Sequence, residues 1–557
     1  MNSKKNNRDY AKKQTGVNIS LNSWLIAALL SITVFFVYFP SLSNGLTELD
    51  DTIFINENKE YNKDISNLVT SFNRGVFAKV DSYYRPMLLD SYIINYQVSK
   101  DDVKGYHILN ILLHLLSVIL LWRLLLKLKL TERQALFLTI LFAVHPALSQ
   151  AVSWIPGRND TLLASFTFGF ILTTINYLEG RKWHSLLVAF LLLLAALFTK
   201  ESALFIPFGA IFILGMIGLI QWKDKRNLLI YFSWLLAVIL FIFFKLNAGL
   251  NSNGFGISMI ADNFLSRIPA LIQYFGKAIL PFNLSVFPIL QDTSIIYGLL
   301  AIILTCLLVY FSRNGNKRII IAGLGWFLLM LLPVILLPTS LNDQDFEHRL
   351  YVPFLGILLI LSQTLLFTGL SSRTSGIVCV GIAILFAGIN MNHQEKFSNP
   401  ISFWESAVES SPHSSYATMM LACRVDETDL KRANELMLKA YSLNPKEKYI
   451  NFYVGKMYND KGDFATAEKY LLKELNISSY YETYFQLSKI EFIKKNLDKS
   501  ISYIETYLQK APHDQNAITN YVMMLIDKGQ KQKAYNYIIQ KQKEGIFLPK
   551  ALIDKAS

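Results

Sequence analysis

The chain has 557 residues, 52% of them hydrophobic and only 17% charged, a balance too apolar for a soluble globular protein. Its net charge of +13 does not point to nucleic acid, because the lysines and arginines gather in short loops between apolar blocks and in the C-terminal region, where they set topology and solvate helix faces. Three cysteines, with Cys306 and Cys379 inside apolar runs and Cys423 alone, exclude a disulfide framework and a Cys/His metal cluster.

Residues 1–21 form a basic tail (Lys4, Lys5, Arg8, Lys12, Lys13), which the positive-inside rule assigns to the cytoplasm. Residues 24–40 read as an uncleaved first span, since no small-residue cleavage site accompanies them. Residues 41–105 then carry ten acidic and seven basic residues, the balance of a first extracytoplasmic loop. Apolar blocks long enough to cross a hydrocarbon core about 30 Å thick follow at about 106–126, 135–152, 162–178, 186–198, 204–220 and 228–245. The ends expected inside carry Lys127, Lys129 and Arg133, then Arg181 and Lys182, then Lys223, Lys225 and Arg226. His145-Pro146 predicts a kink in the third span. Residues 247–263 read as a polar Gly/Asn loop. The apolar stretch 268–280 is short and broken by Gln273 and Lys277, which predicts an interfacial or re-entrant segment. Blocks at 295–311, 319–337, 352–370 and 376–390 bring the total to about eleven spans. The domain organisation expected is a tail at 1–21, a transmembrane domain at 22–392 and a helical-repeat domain at 402–557.

The last region repeats at about 34 residues, the tetratricopeptide period. Gly455, Tyr458, Gly462, Ala467 and Tyr470 sit at that motif's spacing; Ser500 and Ala534 return at the Ala467 position, and Tyr503 and Tyr537 at the Tyr470 position. Helix pairs of this kind expose an apolar face that only a neighbouring pair covers, so a short α-solenoid is expected. The fold class predicted is therefore all-α: a polytopic membrane protein with a C-terminal TPR solenoid on the side of the first loop.

Every candidate for chemistry falls on that same side. Asp50 and Asp51 open the first loop; Arg85 and His107 follow; Arg158 and Asp160, Lys200 and Glu201, and His348 and Arg349 occupy later loops. Each lies close to a span end, where a charge is easier to hold than at mid-membrane. Acids and cations gathered at one interface suit sugar transfer from a lipid-linked phosphate. The acceptor hydroxyl needs a carboxylate to take its proton, and the departing phosphate needs cations, arginine best of all. One base and no second acid implies a single inverting displacement. His107 lies near enough to the interface to meet a phosphate, whereas His114, deeper in the second span, reads as a packing residue. Asp51 and Asp160 are weak candidates for a divalent metal.

The ordered set Leu49-Asp50-Asp51, Tyr84-Arg85-Pro86, Gly105-Tyr106-His107, Asn110 to His114, Val144-His145-Pro146, Gly157-Arg158-Asn159-Asp160, Lys200-Glu201 and His348 to Pro353 resembles bacterial relatives of the transmembrane and tetratricopeptide-repeat-containing O-mannosyltransferases, of the GT-C class. The resemblance implies a glycosyltransferase of the cytoplasmic (inner) membrane, with its active site and repeat domain extracytoplasmic. It implies a polyprenyl-phosphate sugar donor, carrying mannose or a similar hexose, and a hydroxyl acceptor, Ser or Thr of an envelope polypeptide that the repeats recruit. By position, Asp50 or Asp51 would be the base, and Arg85, Arg158, Lys200 and Arg349 would meet the phosphate. Two other readings stand beside it: an oligosaccharide ligase using a polyprenyl-pyrophosphate donor, and a non-catalytic membrane scaffold.

Overall fold

Helices begin where side chains replace missing backbone acceptors. Asn22 accepts from Trp24 N ahead of Ser23–Tyr38, Asp102 accepts from Lys104 N ahead of Val103–Lys127, and Thr131 and Gln134 form a reciprocal capping box ahead of Glu132–Val144. The computed structural model describes residues 22–77, 83–221, 223–250, 257–336 and 344–556; the basic tail, residues 1–21, lies outside them. Among the described residues the fold is helical throughout, with one isolated antiparallel bridge, Ile289 to Gln344. The chain divides into two units, Met1–Ser406 and Ala407–Ser557.

The first unit is a multi-pass membrane domain. Among the described residues six helices are long and apolar enough to cross a bilayer, and a seventh crossing results if Glu132–Val144 and Pro146–Ser153, bent by 56° at His145-Pro146, are taken together. The bend lies where the proline predicts it. Six or seven such crossings stand beside the expectation of about eleven spans, and the other expected blocks are shorter or broken. Trp183–Thr199, Glu201–Met216 and Ile296–Tyr310 are shorter apolar helices; the last, with 15 residues, rises only about 22 Å. The block 352–370 is not one helix: Phe354–Leu361 is followed by a separate turn, Leu365–Thr368. The supposed loop 247–263 is also shorter than expected, since a helix, Ile257–Ile279, starts within it. That helix is not apolar enough to span, and its Arg267, Gln273 and Lys277 are buried against protein.

The helices approach closely where glycine allows it, the usual device in a bilayer that supplies no hydrophobic drive between helices. A Cβ on Gly323 would lie 2.4 Å from Gly356 O, and one on Gly276 would lie 2.6 Å from Gly298 N. Large apolar side chains such as Trp24, Phe36, Phe232 and Ile303 stay exposed, an outer surface suited to lipid rather than water.

The second unit is a run of helix pairs. Ser415–Val425 packs on Leu430–Leu443, Ile450–Asp460 on Phe464–Ile477, Glu482–Ile493 on Leu497–Leu508, and Gln515–Asp527 on Lys531–Lys543; Lys550–Ala556 lies at the end. The small residues picked out by their spacing, Ala467, Ser500 and Ala534, are all fully buried. The turns inside three of these pairs share a left-handed residue: Gly462, Lys495 and Gly529, at φ +79°, +61° and +78°.

Candidate functional site

The Asp50-Asp51 pair sits on a tight turn just past the first span. Glu48 adopts a left-handed conformation, φ +55°, which an unbranched polar residue tolerates at some cost. This folds Thr47 and Leu49 back over Asp51. One Asp51 oxygen accepts from Thr47 N at 2.6 Å and Thr47 Oγ1 at 2.9 Å; the other accepts from Leu49 N at 3.1 Å and Thr52 N at 3.0 Å. Asp51 is buried and caps a π-helical turn, Thr52–Glu57, a form that recurs at functional sites. Burial leaves its carboxyl above the usual range despite the four donors.

Asp50 is different. No described residue donates a hydrogen bond to it, and it is only partly buried. Its carboxyl is raised to about 6, by burial first and by Asp51 second, with Arg85 opposing. At neutral pH it is ionised and basic enough to take a proton.

Three cations stand around it and its neighbours. Arg85 grips Glu201 with two nitrogens, Nε at 2.9 Å and a terminal nitrogen at 2.8 Å, while Glu201 also accepts from Tyr84 N at 3.1 Å. Lys200 donates to both oxygens of Asp160, at 2.8 and 2.9 Å. Arg349 donates to Gln344 O at 2.7 Å. Asp160 feels Lys200 most strongly, then Arg85 and Arg349, so the three cations converge on one region. His348 belongs to it: Gln150 Oε1 accepts from its backbone N at 3.1 Å and its Nδ1 at 3.2 Å, which leaves Nε2 without a proton, 3.8 Å from Asp160. Burial, followed by Lys200, Arg349 and Arg85, holds this imidazole well below its ordinary value, so it stays neutral and the contact with Asp160 is not an ion pair.

Residues that the sequence reading did not single out tie the parts together. Trp154 Nε1 donates to Thr47 Oγ1 at 3.1 Å, and its ring packs on Phe346 and His348. Lys277 pairs with Glu347 at 2.8 Å and Arg267 pairs with Asp345, all four side chains at most 4% exposed. These pairs fix the segment carrying His348 and Arg349 to the helix Ile257–Ile279. The visible signal was the charge that interrupts the apolar stretch 268–280.

Two expected phosphate contacts are redirected. Arg158 is 0% exposed and donates to Asn110 Oδ1 at 2.9 Å, Asn95 Oδ1 at 2.9 Å and Tyr106 O at 3.1 Å, with the Tyr92 ring 4.4 Å from its guanidinium carbon. Asn110 in turn donates to the carbonyls of Val152, Trp154 and Ile155. Arg158 is thus a buried brace for the 150–158 turn, and Gly157 is needed beside it because a Cβ would lie 2.5 Å from Gln150 O. Arg158→Lys, which cannot fork between two acceptors, is expected to cost about 1.5–3 kcal/mol in denaturant unfolding without a selective rise in donor KM. His107 is also buried, 1% exposed, against the backbone of Asn44 and Gly45. Nor do the metal candidates fit a cation: Asp51 has both oxygens occupied by donors and Asp160 has both on Lys200.

The segment 91–246 matches the family described as dolichyl-phosphate-mannose-protein mannosyltransferase. The chain is 31% identical over 147 residues to protein O-mannosyl-transferase Tmtc1 of Drosophila melanogaster, covering 26% of this chain and 16% of that one. It is 28% identical over 206 residues to a protein O-mannosyl-transferase of Caenorhabditis elegans, 35% and 28% of the two chains. It is 24% identical over 461 residues to human protein O-mannosyl-transferase TMTC4, 70% and 57% of the two. The chain therefore spans between 16% and 57% of these relatives' lengths.

Proposed function

From its relation to the transmembrane and tetratricopeptide-repeat-containing O-mannosyltransferases, we propose that this protein is a membrane glycosyltransferase that moves a hexose from a polyprenyl-phosphate donor to a hydroxyl, Ser or Thr of an envelope polypeptide. The observation that carries the reading is the division of labour in the first loop: Asp51 is held by four donors, and the neighbouring carboxylate of Asp50 is left open beside Arg85. Asp50 is the general base. It takes the acceptor proton as the hydroxyl attacks the anomeric carbon from the face opposite the phosphate, so configuration inverts. Asp51 fixes the turn that aims it.

The leaving polyprenyl phosphate is an anion and needs countercharge rather than a proton. Arg85, Lys200 and Arg349 supply it, with Asp160 and Glu201 restraining two of these cations until the donor arrives. His348, neutral, adds no charge and shapes the pocket between Gln150 and Asp160. The second unit is a tetratricopeptide solenoid that presents acceptor polypeptides, on the extracytoplasmic side with the reacting groups.

Mass spectrometry of envelope proteins from cells with and without the gene tests this reading: hexose on Ser or Thr should vanish with the gene and return only with a copy retaining Asp50. The same base sets a pH dependence. The rate should climb through about pH 6 and level off above it, because Asp50 works only when deprotonated. A rate that falls as pH rises from 5 to 7 would be the wrong sign.

A further inference from the structure

At the end of the membrane domain away from the candidate site, a groove of about 790 Å³ runs between the helices Val103–Lys127 and Arg158–Gly180. Asn176, which lines it, lies 16 residues beyond Asp160 on one helix, about 24 Å along the axis. The two helices are tied at both ends of the groove. Ser117 and Ser165 hydroxyls meet at 2.8 Å at one end, and Lys127 pairs with Glu179 at 2.6 Å at the other. Between these ties Leu116, Leu120, Leu172 and Leu192 line the groove.

The mouth is charged in one sense. Arg123 lines it, exposed, its guanidinium carbon 4.6 Å from the Trp122 ring centroid, and among the described residues no carboxylate pairs with it. Lys127 is matched by Glu179, so Arg123 leaves one uncompensated positive charge beside an apolar slot at a membrane surface. A cation there is costly to leave bare and attracts anionic headgroups. One phosphodiester carries the single negative charge that is missing, and an acyl chain is what the slot accommodates.

We propose that this groove binds an anionic glycerophospholipid, its phosphate held by Arg123 and one acyl chain lying along Leu116 and Leu120. A polyprenyl phosphate is the poorer occupant, because Lys200, one of the cations proposed to meet the donor, is held by Asp160 at the other end of Arg158–Gly180. The site does not depend on the sugar-transfer reading: it requires only that the domain span a bilayer.

Native mass spectrometry of the detergent-purified full chain, titrated separately with phosphatidylglycerol, phosphatidylcholine and undecaprenyl phosphate, tests it. One phosphatidylglycerol should remain bound under conditions that strip phosphatidylcholine. Arg123→Gln should weaken it about fivefold and Arg123→Glu, a change of two charges, about 30-fold, each unit of charge near the surface contributing about a factor of five. Lys129→Gln with Lys182→Gln, which removes cations at the same end that do not line the groove, should leave binding unchanged. Leu120→Trp, which fills the slot and keeps the charge, should expel the lipid, and it decides the matter if the charge variants do not fold. Equal retention of phosphatidylcholine, equal loss in the Lys129/Lys182 variant, or displacement of phosphatidylglycerol by undecaprenyl phosphate through Arg123 would each overturn the assignment.

Discussion

Asp50→Asn is expected to lower sugar transfer by about 10²–10⁴-fold, the usual contribution of a positioned general base, while the protein stays inserted and melts as the parent does. The amide keeps the shape of the side chain, and among the described residues no hydrogen bond to Asp50 is lost. Asp51→Asn should behave differently. An amide nitrogen must replace one of two oxygens that each face two donors, so an N–H would point at an N–H and the turn around Glu48 would loosen. That variant should lose stability as well as rate, and its residual activity should keep a rising pH profile, moved to lower pH than the parent's, because the base remains but the Asp51 charge no longer raises it. The discriminating measurement is therefore a pair: initial rate against pH with a defined donor, and thermal unfolding of the same preparations. If Asp51→Asn erased the rise and Asp50→Asn kept it, the two roles would have to be exchanged.

Much of this was legible in the residues, and the failures have physical causes. The apolar blocks were readable because a bilayer demands uninterrupted hydrophobic length, and the helix pairs of the second unit because Ala467, Ser500 and Ala534 must be small where helices cross. What sequence spacing does not convey is which polar groups find partners. Arg158 stands beside Asp160 in a motif that looks like a loop, yet it is buried by acceptors 48 and 63 residues away, Asn110 and Asn95. Asp50 and Asp51 are chemically identical neighbours, separated only by a left-handed Glu48 that no composition announces. The block 352–370 is uncharged and mostly apolar, and its helix stops because hydroxyls turn back on it: Ser362 Oγ donates to Leu359 O at 2.6 Å and Thr364 Oγ1 to Leu361 O at 2.7 Å. Side chains that compete for backbone carbonyls in this way end helices without altering hydropathy.

The largest stability effect expected in the membrane domain lies at Lys277 and Glu347, 2% and 0% exposed at their side chains and 2.8 Å apart. Either residue alone is a charge that the surroundings cannot solvate, so Lys277→Met or Glu347→Leu should each cost about 3–5 kcal/mol. The double variant Lys277→Met with Glu347→Leu removes both charges and should recover most of that loss, since a buried pair is often no more stabilising than apolar side chains of similar volume. Recovery will be incomplete, because Glu347 also accepts from Ser285 N at 2.8 Å and lies 3.6 Å from His393. A denaturant-unfolding double-mutant cycle in detergent measures the coupling; a double variant no more stable than the singles would mean that the pair is not the clamp. The pair has a second consequence that stability alone does not report. Glu347 immediately precedes His348 and Arg349, and Arg267 holds Asp345 two residues before it, so the helix Ile257–Ile279 sets where the Arg349 guanidinium stands. A double variant that folds well should therefore still bind donor less tightly, with KM raised more than kcat is lowered, because what it has lost is the position of a phosphate-facing cation and not the base.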